Sequence, residues 1–167
     1  VFCASQKPEA ETVLRTIAAE RDAPFYSIDE YLESAETEVD GSVTRAALRW
    51  NDGRCERFRL RMHGRVQADN AALACLAAEE ILERAGMSPA EQAEVRREGI
   101  ESTHLPGRME IIGSRSPIVL DAAHTPASVS RLADSFASMF AAPRILIFGS
   151  VLGKNHGAMA ETLVPHF

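Results

Sequence analysis

A guanidinium, a carboxylate and an imidazole occur close together in residues 105–129, LPGRMEIIGSRSPIVLDAAHTPASV. Arg108 lies in a loop, and Asp121 and His124 follow the short apolar run 118–120, which is predicted to be a buried strand. Strand ends are where α/β folds bind ligands. Arginine pairs with phosphate, and a carboxylate accepts hydrogen bonds from sugar hydroxyls, so these residues predict a phosphate- or ribose-bearing ligand. Capping of the helix that follows is the alternative interpretation.

Two side-chain amides lie one helical turn apart, at Gln67 and Asn70. They open the run 67–84, which is apolar on nearly every face and predicts a helix buried on several sides. The amides could present donors and acceptors to the edge of a base. Alternatively, they only satisfy the unpaired backbone groups of the first helical turn.

Lys154 lies in the segment GSVLGKN, residues 149–155, which follows an apolar run and precedes a helix. A phosphate-binding P-loop needs four residues between its glycines and a Ser or Thr after the Lys, whereas this segment has three residues and then Asn155. The segment is interpreted as a strand-end loop in which Asn155 caps the helix and Lys154 faces the cleft.

The composition is that of a soluble globular protein, with 46% hydrophobic and 25% charged residues in a chain of 167. No apolar run is long enough to cross a bilayer, and a net charge of −6 argues against nucleic acid as the main partner. Cys3, Cys55 and Cys75 show no paired or zinc-ligand spacing, which favours a reducing cytoplasm. The chain does not start with Met, and residues 1–4 resemble a strand already in progress, which suggests a fragment of a longer protein.

Hydrophobic periodicity predicts two groups of elements, divided near Thr103 into domains 1–103 and 104–167. The first group begins with a strand at 1–4, a helix from Pro8 and a strand at 24–28, and the helix carries Ala10, Val13, Leu14, Ile17 and Ala18 on one face. It continues with a loop with some helix at 29–40, a hairpin of 43–50 with 55–62, the helix 67–84, and a helix that starts at a Ser88 capping box and ends near Glu98. The second group comprises strands at 109–112 and 118–120, a helix from Pro126, a strand at 144–148 and a helix from about His156.

Four segments resemble motifs of the folylpolyglutamate synthase/dihydrofolate synthase family. LPGRME at 105–110 and VLDAAHTP at 119–126 resemble its P-G-R-x-E and D-G-A-H-N-P. GRVQADNA at 64–71 resembles G-x-H-Q-x-x-N-A, and CASQKPEA at 3–10 resembles S-x-P-Q-x-P-E-A. The order and spacing of the family are kept over nearly the whole chain.

The wider superfamily is the Mur ligases, whose muramyl-tripeptide branch also reads G-R-M-E and A-H-T-P. Gln67 and the segment 6–9 favour the folate branch. The resemblance implies an α/β, three-layer Mur-ligase-type architecture. It would comprise part of a central ATPase domain with a β-hairpin, residues 1–103, and part of a Rossmann-like C-terminal ligase domain, residues 104–167.

By this resemblance, the parent enzyme is an ATP-dependent amide ligase that adds glutamate to dihydropteroate or folates through an acyl phosphate. Asn70 would contact adenine with Gln67 beside it, Arg108 would reach the phosphates, and Asp121 would hold the nucleotide. His124 would lie beside the reacting phosphoryl group as a catalytic residue. The family's phosphate loop and Mg²⁺ ligands are expected upstream of this chain, which alone is not expected to catalyse.

Lys154 matches the lysine of the family's D-K-D segment, but Gly153 and Asn155 replace its flanking acids. Ala122, Thr125 and Val66 are further departures from the motifs. The implied partners are ATP, glutamate, and dihydropteroate or folate, with no nucleic acid and no membrane, in a cytoplasmic monomer. The alternatives are a UDP-muramyl-peptide ligase and a non-catalytic α/β interaction module.

Overall fold

In a computed structural model, residues 1–40, 43–64, 66–113 and 115–167 are described and form strands alternating with helices. The elements of the first part are β1 (Phe2–Cys3), α1 (Pro8–Glu20), β2 (Tyr26–Ser27), α2 (Ile28–Tyr31), β3 (Leu32–Asp40), β4 (Val43–Trp50), β5 (Cys55–Leu60), α3 (Gln67–Arg84) and α4 (Pro89–Ser102). Those of the second part are β6 (Glu110–Ile112), β7 (Ile118–Leu120), α5 (Pro126–Met139) and α6 (His156–Leu163), followed by a 3₁₀ turn at Val164–His166. No helix within these ranges combines the length and apolarity needed to cross a membrane.

An antiparallel sheet in the order β3–β4–β5 packs against α3. β4 and β5 form the predicted hairpin, whose turn contains Gly53 at a φ of +87°. The core consists of inward side chains of the sheet and the alanine-rich face of α3: Ala46, Leu48, Trp50, Phe58, Leu60, Ala68, Ala71, Ala72, Cys75 and Leu76. Alanine side chains are short, so the helix lies close to the sheet, and the predicted burial of residues 67–84 is confirmed on this face.

A buried guanidinium, that of Arg96 in α4, links the hairpin to both long helices. It lies 2.9 Å from Glu56 on β5 and 3.2 Å from Glu79 on α3. Glu56 also accepts a 2.8 Å hydrogen bond from the indole of Trp50. Only 5% of the Arg96 side chain is exposed, so its charge depends on these carboxylates for compensation.

One prediction for the first part is wrong, and a second is only partly right. Residues 32–40, predicted to be a loop with some helix, form β3, because pairing with β4 supplies the backbone hydrogen bonds of a strand. The outward positions of β3 carry acidic side chains, which are uncommon in strands, so tertiary pairing overrides local preference. In α1, Ala18 on the predicted apolar face is buried, whereas three larger side chains of that face are exposed: Val13 at 56%, Leu14 at 38% and Ile17 at 41%.

The second part has a two-stranded antiparallel sheet, β6–β7, and a small core where α5 packs on α6. Val129 and Ala133 meet Met159 and Leu163 in this core. The prediction that Ile118–Leu120 forms a strand is confirmed, but the predicted burial of this strand is wrong, because Ile118 is 60% and Leu120 45% exposed. The predicted strand at 144–148 is absent from the described structure, since no described strand lies beside it to pair with.

We expect Arg96→Ala to lower the free energy of unfolding by about 3 kcal/mol, because the substitution leaves Glu56 partly buried without its cation. Urea denaturation followed by Trp50 fluorescence measures the change. Arg49→Ala is the matched control: Arg49 lies on the exposed sheet face, 3.9 Å from Glu33, so its loss should change stability by less than about 1 kcal/mol. Equal effects of the two substitutions would contradict the structural role of the buried cation.

Candidate functional site

The Asp121 carboxylate ties together the two loops that carry the predicted site residues. One oxygen accepts a hydrogen bond from the backbone N–H of Met109 at 2.8 Å, and the other accepts from Ala123 at 2.7 Å. The backbone N–H of Ala122 donates to the carbonyl of Gly107 at 2.9 Å, which adds a direct link between the loops. Met109 has a φ of +48°, an unfavourable value for a side-chain-bearing residue, and the Asp121 hydrogen bond stabilises it.

Arg108 lies on this tied loop and is exposed. Its guanidinium makes no hydrogen bond or ion pair with any residue in the described part of the chain. Glu110, the nearest acid in sequence, instead accepts a 2.8 Å hydrogen bond from the backbone N–H of Gly107. The guanidinium is therefore available to an anionic ligand, while its backbone is held by the loop contacts.

His124 begins the turn into α5 and is exposed. Its Nδ1 lies 3.1 Å from the carbonyl oxygen of Ala122. A carbonyl can only accept, so this hydrogen bond requires the proton on Nδ1 and leaves Nε2 to face a ligand. Thr125 and Ser128 form the capping box of α5, which confirms the predicted helix start and fixes the backbone beside His124.

The two predicted amides are connected to each other at the start of α3. Gln67 is buried, and its amide nitrogen donates to the carbonyl of His63 at 3.1 Å. Its amide oxygen accepts a 3.1 Å hydrogen bond from Asn70, which is exposed. The remaining oxygen and N–H of Asn70 form a donor–acceptor pair of the kind that binds the N6–N7 edge of adenine.

Gly64 brings these two groups of residues together. Its φ is +111°, and a Cβ added to it would lie 3.4 Å from Oγ of Ser135 on α5 and 3.8 Å from Cγ of Met109. The loop that leads into α3 therefore packs directly on Met109, which follows Arg108 and donates a hydrogen bond to Asp121. Burial raises the pKa of Asp69 in α3, and the positive charge of Arg131 in α5 partly opposes that shift, consistent with the proximity of these helices.

Lys154 is not brought into this cluster. Its side chain is exposed, and none of the hydrogen bonds or ion pairs of the described residues joins it to the other predicted site residues. Asn155 caps α6 as predicted, by accepting a 3.1 Å hydrogen bond from the backbone N–H of Ala158.

The sequence interpretation missed the supporting residues Gly64 and Met109. Gly64 stood within a recognised motif, so its glycine was a usable signal for a special backbone conformation. The left-handed conformation of Met109 had no such signal, because the residue type does not favour it. Across the described ranges, no group of three or more His, Cys, Asp or Glu side chains could hold a metal ion.

Residues 107–167 match the family model of the Mur ligase glutamate ligase domain. The chain is 29% identical to the dihydrofolate synthase/folylpolyglutamate synthase of Bacillus subtilis, with 98% of this chain and 38% of the relative aligned. It is 26% identical to the folylpolyglutamate synthase of Lacticaseibacillus casei, with 96% of this chain and 37% of the relative aligned. The chain thus spans well under half the length of these curated relatives.

Solved structures share the fold. One is an FPGS–AMPPCP–folate complex, which is 24% identical in sequence and superposes with a TM-score of 0.82. The alignment covers 98% of this chain and 40% of that protein. Another is Mycobacterium tuberculosis folylpolyglutamate synthase complexed with ADP, which is 30% identical and superposes with a TM-score of 0.63. The alignment covers 81% of this chain and 29% of that protein. The predicted α/β fold class is confirmed.

We expect Gly64→Ala to lower the free energy of unfolding by about 1–2 kcal/mol, because alanine is strained at this φ and its Cβ meets α5. Gly99→Ala is the matched control. Gly99 lies inside α4, which continues to Ser102 rather than ending near Glu98 as predicted, and a Cβ there meets nothing within 4 Å. Gly99→Ala should therefore be neutral or stabilise the helix by up to about 1 kcal/mol. Urea denaturation measures both, and a neutral Gly64→Ala would refute the close contact.

The four sequence motifs, the fold and the alignments agree. The matched family model starts at Gly107, inside the loop that Asp121 holds, and the alignments to the curated relatives extend over the first part as well. Residues 107–167 are similar to the Mur ligase glutamate ligase domain, and the alignments confirm the resemblance of the whole chain to folylpolyglutamate synthase/dihydrofolate synthase proteins.

Proposed function

We propose that the full-length protein containing this chain is an ATP-dependent ligase that adds glutamate to dihydropteroate or to folates. The packing of Gly64 on Met109 carries the proposal, because it places the Gln67–Asn70 amides next to the loop of Arg108 and Asp121. The similar proteins bear the names of this activity, and one similar structure contains a nucleotide analogue together with folate.

The proposed domain division is 1–103, the last part of a central ATPase domain, and 104–167, the first part of a C-terminal ligase domain. Two separate apolar cores support it. The first is built from residues between Ile28 and Leu76, and the second from residues between Val129 and Leu163. The boundary follows α4 directly, and nucleotide would bind where the two parts meet at Gly64.

In the proposed site, Asn70 hydrogen-bonds the adenine edge. Gln67 orients Asn70, because its own amide is buried and anchored to the carbonyl of His63. Arg108 pairs with the ATP phosphates. Asp121 holds the Arg108 loop, and the second lone pairs of its oxygens remain available to accept from a ribose hydroxyl.

The proposed reaction has two steps. An oxygen of the folate or pteroate carboxylate attacks the γ-phosphorus of ATP, ADP leaves, and an acyl phosphate forms. The amine of glutamate then attacks the acyl carbon, phosphate leaves, and the amine loses its proton. Catalysis of such steps depends on positioning and on neutralising phosphate charge, which suits Arg108 and a Mg²⁺ ion bound with ATP. His124, with an exposed Nε2 that is unprotonated in the neutral ring, would accept the amine proton there, and the resulting imidazolium would donate a hydrogen bond from Nε2 to the reacting phosphoryl group.

Lys154 remains a proposed nucleotide contact through its match to the family's lysine segment alone. We further propose that the protein acts as a cytoplasmic monomer. The support for the compartment is that Cys3, Cys55 and Cys75 are all free thiols, and that Cys3 and Cys75 are buried.

We expect Arg108→Ala to lower kcat for glutamate ligation by about 100-fold in the full-length protein, because a cation at developing phosphate charge is lost. Asp121→Ala should abolish most activity as well, since it frees the Met109 backbone that positions Arg108. Radiolabelled glutamate incorporation into folate or dihydropteroate measures ligation, and UDP-muramyl peptide tests the other branch.

Arg115→Ala is the control for this experiment, because Arg115 is another exposed arginine, in the β6–β7 turn. It should leave ligation unchanged. Wild-type activity of Arg108→Ala, or activity only with UDP-muramyl peptide, would overturn the proposed function.

We expect Asn70→Ala to raise KM for ATP by about tenfold with little change in kcat, since one or two hydrogen bonds to the base are lost. It should also reduce the preference for ATP over GTP. Steady-state kinetics with both nucleotides measure this. Glu83→Ala, an exposed change near the far end of α3, should alter neither, and an Asn70→Ala enzyme with unchanged KM would exclude the adenine contact.

A further inference from the structure

The outer face of the hairpin carries a row of arginines on β5 and just beyond it. Arg57 and Arg59 point outward, while Phe58 and Leu60 between and beside them are buried in the core. Arg61 follows the strand and is also exposed. These three residues, 57, 59 and 61, are called the arginine row below.

The arginine row lacks acidic partners. None of its guanidinium groups forms an ion pair within 4.0 Å with a residue in the described ranges. The arginines of β4 differ, since Arg45 lies 3.8 Å from Asp40 and Arg49 lies 3.9 Å from Glu33. Arg45 is directly opposite Arg59 in the strand register, and two like charges so placed repel each other unless an anion lies between them.

Two surface grooves meet at Arg59. One, of about 650 Å³, is lined by Arg59 and Arg61, and the other, of about 590 Å³, by Arg57, Arg59 and Arg45. An elongated ligand that lies along both grooves could therefore contact all three arginines of the row.

The grooves also contain acids, and two of these are already engaged. Glu101 accepts a 2.9 Å hydrogen bond from the backbone N–H of Arg59, and Glu38 lies 4.0 Å from Arg45. Glu36 and Glu98 line the grooves as well, one in each. The lining thus has four arginines and four acids. Glu38 is paired with Arg45, and Glu101 lies 3.8 Å from Arg97, which is outside the grooves. This leaves the three arginines of the row against Glu36 and Glu98, two acids with no ion pair to another described residue.

The arginine row leads toward the candidate site. Arg61 is three residues before Gly64, a span of at most about 10 Å. Gly64 packs on Met109, the neighbour of Arg108. Arg57 and Arg61 are separated by about 14 Å at the rise of a strand, so the row extends outward from the edge of the site.

We propose that the arginine row binds the glutamate chain of an oligoglutamylated substrate or product. This inference rests on the proposed function, in which glutamates are added one at a time. Whichever carboxylate is joined, every added glutamate leaves one free carboxylate, so the chain is a flexible polyanion with regularly repeated charges. Outward side chains on a strand repeat about every 7 Å, and each arginine can pair with a separate carboxylate.

The test is calorimetric titration of the full-length protein with free pentaglutamate, in γ-linked and in α-linked form, without ATP. We expect binding by at least one form, weakened about tenfold in the double variant Arg57→Ala/Arg59→Ala and weakened in high salt. Arg49→Ala, on the same sheet face but outside both grooves, should bind like the wild type. Unfolding midpoints verify that each variant is folded.

A second measurement separates this inference from the proposed function. The double variant should raise KM for a pentaglutamylated folate while leaving KM for the monoglutamate unchanged. If the wild type ligates glutamate but the double variant changes neither pentaglutamate binding nor KM for the pentaglutamylated folate, only the proposal for the arginine row is overturned. Pentaglutamate binding without ligation would overturn only the proposed function. Equal binding of inorganic polyphosphate would show a general polyanion surface and overturn the assignment to glutamate chains.

Discussion

The arrangement of the candidate site depends on the Asp121 carboxylate. Both of its oxygens accept backbone hydrogen bonds, one from each of two loops that are distant in sequence. Without this acceptor, nothing in this contact would offset the unfavourable left-handed backbone of Met109, and the loop would relax. Met109 follows Arg108 in the chain and contacts Gly64 in the loop before α3. By holding Met109, the Asp121 carboxylate therefore positions the Arg108 loop against the start of α3. The capping interpretation of this position is met by Thr125 and not by Asp121, which is a structural acceptor inside the candidate ligand site.

The same division between buried support and exposed chemistry recurs at the other site residues. Gln67 is buried and anchored, whereas Asn70, which it holds, is exposed. The exposed Arg108 and the outward Nε2 of His124 likewise rest on backbone that is hydrogen-bonded within the protein. Fixed supports reduce the conformational entropy that ligand binding must remove, so a ligand meets groups that are already oriented. In the arginine row the backbone of Arg57 and Arg59 is held in β5, but the guanidinium groups have no ion-pair partner among the described residues, which suits a flexible, charge-rich chain better than a ligand that needs one geometry.

The first part of the chain provides the rigid platform for this site. The alanine-rich face of α3 lies close to the sheet, and Arg96 neutralises two carboxylates from different elements. These contacts fix the direction of α3 and therefore the position of Gln67 at its start. In the second part, α5 begins with a capping box directly after His124 and contacts Gly64 through Ser135. The loop before α3 thus packs both on the body of α5 and, through Met109, on the loop of Arg108.

The sequence alone determined the features that depend on local chemistry. The hairpin turn and the capped starts of α4, α5 and α6 follow from glycine, serine, threonine, asparagine and proline at defined positions. The extent of α3, which has no side-chain cap at its start, follows from its apolar run. It also showed the resemblance to folylpolyglutamate synthase/dihydrofolate synthase proteins and pointed to the candidate residues. Tertiary structure decided what depends on partners distant in the chain: the strand at 32–40, the exposure of Ile118–Leu120, the missing strand at 144–148 and the separation of Lys154 from the cluster. It alone decided that Asp121 supports Met109 and that Gly64 joins the two groups, because hydrogen bonds and close packing between distant segments leave no periodicity in the sequence.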